Sequence, residues 1–121
     1  MRILALTILL TVAAPGPARA QAAGPNGGQT TVADGHPIEF VSRDREITFF
    51  VAGEDGKPLD TSGLNARAIV QAGGRTETVS LAPAAPNRLV GTVAAPLAVG
   101  SKLVLTSRIH GHSVQARFET K

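Results

Sequence analysis

The 121-residue chain is a one-domain length, and its 12 Lys+Arg against 9 Asp+Glu give a formal net charge of +3. No cysteine is present, so disulfides, thiolate metal sites and cysteine nucleophiles are excluded. Four Phe with no Tyr or Trp leave little for bases to stack on, which argues against a nucleic-acid partner.

Met1-Arg2, the apolar run from Ile3 to Ala14 and the small-x-small triplet Ala18-Arg19-Ala20 have the form of a signal peptide over 1–20, with cleavage after Ala22 as the alternative. The run is shorter than the roughly 20 residues that a membrane-spanning helix needs, so the mature chain is expected to lack a span. Removing Arg2 and Arg19 leaves 10 basic residues against 9 acidic ones, and most of the apparent basicity disappears.

Residues 21–28, rich in Gly and small side chains, read as a flexible leader to a domain at 29–121. Gln29 to Ala33 suits a short edge strand and Asp34-Gly35 a turn. Ile38 and Phe40 alternate with Glu39 and Val41, and Arg43-Asp44-Arg45 breaks the pattern. From Glu46 to Ala52, Ile47, Phe49 and Val51 share one face of a second strand. Asp55-Gly56-Lys57-Pro58 is turn chemistry in a surface loop. Alternation resumes from Leu64 to Gln71, Ala72-Gly73-Gly74 turns the chain, and Arg75 to Leu81 returns as the other half of a hairpin. Pro83 to Asn87 is a loop, Leu89 to Val93 a short strand and Ala94 to Gly100 a crossover. Lys102 to Ile109 and Val114 to Glu119 complete the series. About seven short antiparallel strands without a helical period predict an all-β fold, an immunoglobulin-like or transthyretin-like β-sandwich with Phe40, Phe49 and Phe118 in its core.

Gly24-Pro25-Asn26-Gly27-Gly28, Gly35-His36-Pro37-Ile38-Glu39-Phe40-Val41, Asp55-Gly56-Lys57-Pro58 and Val114-Gln115-Ala116-Arg117-Phe118 together resemble small exported proteins of Gram-negative bacteria. They are similar to the N-terminal β domain of periplasmic adaptor subunits of heavy-metal efflux pumps of the resistance-nodulation-division type. That resemblance implies a periplasmic, non-enzymatic β-sandwich tied to metal resistance or export, with an efflux-pump component as its partner. The Asp-Gly-Lys-Pro segment also resembles the hairpin of transthyretin-like and carboxypeptidase-regulatory sandwiches, which speaks to fold alone.

The chemistry on offer is imidazole. The only methionine is Met1, so soft capture of cuprous ion is not expected. His110 and His112 are two apart and would share a strand face, while His36, with Glu39 or Asp34, would complete a ligand shell for Cu(II), Zn(II), Ni(II) or Co(II). The competing reading makes His110-Gly111-His112 the turn between the last two strands. His36 and Glu39, three apart, fall on opposite faces of a regular strand, and Pro37 between them is the one feature that would let them converge. None of Ser42, Ser62, Ser80, Ser101, Ser107 and Ser113 lies in a nucleophile elbow, so no catalytic residue is assigned. The alternative function is a structural interaction module of the periplasm with no metal site, docking through an exposed sheet edge.

Overall fold

The computed structural model describes residues 23–121; the stretch at 1–20 expected to be a signal peptide, and both candidate cleavage sites, lie outside the described residues. The described residues form eight strands and no helix: β1 (Gln29–Ala33), β2 (His36–Arg43), β3 (Glu46–Val51), β4 (Ala66–Ala72), β5 (Arg75–Ala84), β6 (Arg88–Thr92), β7 (Lys102–Ile109) and β8 (His112–Glu119). The all-β antiparallel class expected from the alternation is therefore what the chain adopts.

Two-residue hairpin turns set four of the registers, one of them at Asp44-Arg45 between the paired Arg43 and Glu46. At Asp34-Gly35, Gly73-Gly74 and His110-Gly111 both turn residues have positive φ, from 49° to 79°. That conformation matches the right-handed twist of the strands on either side. Each turn stands between directly paired residues: Ala33 with His36, Ala72 with Arg75, and Ile109 with His112. The last two histidines thus belong to a turn and its first flanking residue, as the competing sequence reading has it.

The strands run in one sheet of order β1-β2-β3-β6-β5-β4-β7-β8. The layers are not those of a plain sandwich, because β5 serves both halves. Its residues from Arg75 to Leu81 pair with β4, while Ala82, Pro83 and Ala84 pair with β6. The outer strands β1 and β8 then lie against each other, and the Gln29 side-chain amide donates to the Glu119 carbonyl at 2.7 Å. The result is a nearly closed, barrel-like sheet.

Gly91 of β6 is where β5 crosses over. A Cβ there would lie 2.7 Å from both Leu81 Cδ2 and Val79 Cγ1, so the two β5 side chains occupy the space that a larger residue would need. Gly91→Ala is expected to cost about 2 kcal/mol by overpacking. A thermal midpoint equal to that of the unsubstituted protein would show that the crossover tolerates the methyl group.

Inside, alternate residues of all eight strands meet. Ile38, Ile47, Phe49, Val51, Leu89, Leu103, Leu105, Ile109 and Val114 are at most 1 % exposed. Phe40, Phe49 and Phe118 form a triad with ring centroids 5.3 to 5.7 Å apart, which links β2 and β3 to β8 across the interior. Leu59 and Leu64 from the loop at 52–65, and Leu97 from the loop at 93–101, pack against this core. The interior is filled, so function must lie on the rims and outer faces.

Candidate functional site

One rim gathers the turn at Asp34-Gly35, the start of the loop at 52–65 and the turn at His110-Gly111. His36 opens β2 on the inward-facing side and is only 3 % exposed. Its Nδ1 lies 3.0 Å from the Ala52 carbonyl. A carbonyl oxygen can only accept, so Nδ1 carries the proton and the lone pair is left on Nε2. This is how a second-sphere carbonyl orients a ligating imidazole. Ala52 is itself fixed, because its N–H donates to the Pro37 carbonyl at 2.8 Å.

His110 comes to the same place from the far end of the chain. It is exposed, holds φ at 51° in the turn, and stacks on His36 with ring centroids 6.4 Å apart and planes at 28°. His112 is exposed at the start of β8, in phase with the inward-facing Val114, Ala116 and Phe118. Asp34 is exposed in the first turn, and Glu54 packs its side chain against Gly35.

Glu39 is elsewhere. It points from the outer face of β2, opposite in phase to His36, Ile38 and Phe40, and is nonetheless 3 % exposed because the segment at 24–28 folds over it. Its carboxylate accepts from the Asn26 N–H at 2.9 Å, from the Asn26 side-chain amide at 2.9 Å and from the Gly28 N–H at 2.8 Å. Pro37 does not bring Glu39 round to His36. The two remain on opposite sides of the sheet, as regular strand geometry requires.

Composition suggests a flexible leader, yet from Ala23 onward this segment is a tied loop. Gly24 and Gly28 bond to each other, N–H to carbonyl, at 2.9 Å, and Ala23 bridges to Gln29. A Cβ on Gly24 would run into the Glu39 carboxyl group, and one on Gly28 into the Phe40 carbonyl. The glycines are there for close approach. The signal in the sequence was a turn-rich stretch with several backbone donors ahead of a lone carboxylate on an apolar strand.

Of the candidate ligands, then, the fold unites His36 and His110, leaves His112 at the same rim, and removes Glu39. Among the described residues no three His, Cys, Asp or Glu side chains are grouped to hold an ion. The two rings are stacked, whereas a shared ion needs both in-plane nitrogen lone pairs aimed at one point about 2.0–2.1 Å away, so the exposed His110 must turn out of the stack for the pair to ligate.

Ser62 donates its amide to Asp60 Oδ1 at 2.9 Å. That bond, with the Ser62 side chain, holds the exposed Asp60 carboxyl below its ordinary range.

Comparison with protein-family models, with curated proteins and with solved structures yields no match in any of the three.

Proposed function

We propose that this chain is a periplasmic, non-enzymatic accessory module of a heavy-metal efflux or resistance system. It takes up a borderline divalent ion, Cu(II), Zn(II), Ni(II) or Co(II), at the histidine rim. The observation that supports this reading is the His36–His110 pair, with ring centroids 6.4 Å apart and one ring oriented by a backbone carbonyl. Two imidazoles, with His112 and solvent available to complete the shell, suit ions of this class. The alternative reading needs a sheet edge for docking, and β1 and β8, the two ends of the sheet, meet through the Gln29 side chain rather than through a backbone ladder.

Titration calorimetry with Cu(II) and Zn(II) tests the proposal. One ion per chain is expected, with affinity weakened at least about ten-fold in His110→Ala, the loss of one ligand bond. His110 is exposed, so the fold is expected to survive its substitution. Only neutral imidazole ligates, so affinity must also fall as the solution is acidified. Binding that is the same from pH 8 to pH 5, or that survives in His110→Ala, would move the ion to carboxylates. No heat above dilution would leave the interaction module as the reading.

A further inference from the structure

The loop at 24–28 that closes over Glu39 also carries a reactive pair of residues. Asn26 is followed by Gly27, whereas the other two asparagines, Asn65 and Asn87, are followed by Ala66 and Arg88. An asparagine before glycine is prone to lose its side-chain amide, because no Cβ hinders the following nitrogen as it closes on the side chain. Asn26 and Gly27 are both exposed, and among the described residues nothing stands within 4 Å of where a Gly27 Cβ would be. Solvent and room for the reaction are at hand.

The folded loop opposes it at both reacting nitrogens. The Gly27 N–H, whose nitrogen must attack, donates to the Gly24 carbonyl at 3.0 Å. The Asn26 Nδ2 amide, which must leave, donates to Glu39 Oε1 at 2.9 Å, and the Asn26 N–H donates to Glu39 Oε2 at 2.9 Å. Both nitrogens of Asn26 reach one carboxylate, which draws the side chain toward its own N–H rather than toward that of Gly27.

We propose that Asn26 is a deamidation site held in check by Glu39, and that its modification releases the loop at 24–28 for good. In the open loop the Gly27 nitrogen gives up its proton and bonds to Asn26 Cγ, the Cγ–Nδ2 bond breaks, and the amide leaves as ammonia. Water then opens the succinimide ring at either carbonyl, leaving aspartate or isoaspartate at position 26. Neither product fits the clamp. Aspartate sets a second carboxylate where Nδ2 lay 2.9 Å from Glu39 Oε1, and two carboxylates that close repel when both are ionised. Isoaspartate lengthens the main chain by a methylene and takes the Gly27 N–H off the Gly24 carbonyl. The surface uncovered belongs to a cleft of about 560 Å³, which Pro25 and Asn26 line together with Pro37, Phe50 and Pro58.

Peptide mass spectrometry after incubation at mildly alkaline pH tests this, with guanidinium-unfolded protein as the unprotected reference. Deamidation at Asn26 is expected in the unfolded protein and at least about ten-fold slower in the native one, the protection that one hydrogen bond to a charged group gives. Glu39→Ala should bring the folded protein most of the way to the unfolded rate. So should Gly24→Ala, whose Cβ pushes the Glu39 carboxyl group aside without removing it; should Glu39→Ala not fold, Gly24→Ala carries the comparison. Asn65 and Asn87 should stay intact throughout. As a mimic of the product, Asn26→Asp should speed hydrogen exchange at Gly28, whose N–H donates to Glu39 Oε2 at 2.8 Å. The gain over Asn26→Ala should be at least about ten-fold, the factor for one pKa unit of repulsion between carboxylates. Equal rates at Asn26 in native and unfolded protein, or in native protein and the folded variants, would overturn the proposal. No product in the unfolded protein, or Gly28 exchange in Asn26→Asp no faster than in Asn26→Ala, would overturn it too.

Discussion

Phe49→Ala is expected to lower the unfolding free energy by about 4 kcal/mol, the usual cost of emptying a fully buried Phe site. Phe49 has no exposed surface, and on β3 it is paired with Phe40 on one side and Leu89 on the other. Its ring meets those of Phe40 and Phe118 at centroid distances of 5.3 and 5.7 Å. With no Tyr or Trp in the chain, these three rings are the aromatic core. Alanine would leave a cavity that three β-strands hold open, because each is fixed by its ladder and cannot collapse inward. Small domains have only about 5–15 kcal/mol in total, so the substitution takes a large share. Guanidinium unfolding followed by far-ultraviolet circular dichroism measures it, with a lower midpoint and an unchanged slope expected. Phe50→Ala, on the half-buried outer side of the same strand, is the control and should cost about 1 kcal/mol by the area it covers. Equal losses at the two positions would contradict the inward phase assigned to β3.

Glu39→Ala is the second large effect, with about 3 kcal/mol expected. The carboxylate answers three donors, the Asn26 and Gly28 amides and the Asn26 side chain, at 2.8 to 2.9 Å. Hydrogen bonds to a charged acceptor contribute about 1.5–3 kcal/mol each before compensation, and donors left without a partner add a desolvation cost. Part of that is recovered because the loop at 24–28 can lift away and let water in. The substitution should therefore show two signatures: a lower global midpoint, and fast hydrogen exchange at Asn26 and Gly28 well below the unfolding transition. Asn26→Ala removes only the side-chain bond and should cost about 1 kcal/mol. The same variants separate clamp from ligand, because Glu39→Gln should leave Cu(II) and Zn(II) affinity unchanged. A loss of metal affinity in Glu39→Gln would return this carboxylate to the candidate metal site.

What reads directly from the residues is whatever short-range stereochemistry controls. Asp34-Gly35, Gly73-Gly74 and His110-Gly111 are legible as turns because the left-handed conformation is cheap for glycine and tolerable for Asp and His. Alternation at Ile47-Phe49-Val51 and Leu103-Leu105 gives the buried face, because side chains in a strand repeat every two residues. Bounds at proline were harder. Pro37 lies inside β2 and Pro83 inside β5, where a missing N–H is tolerated if that side of the backbone needs no donor.

The amino-acid sequence alone thus determined an antiparallel all-β chain, its hairpins and its inward-facing residues, since each depends on neighbours a few positions apart. Tertiary structure alone decided three things: that β5 bridges both halves and the ends meet in a near-barrel, that His36 and His110 stack while Glu39 is turned to another task, and that Asn26 and Gly28 close over that carboxylate. All three are pairings between distant segments. Their cost is loop-closure entropy and their gain is the shared burial of a common core, and neither is written in any local stretch of residues.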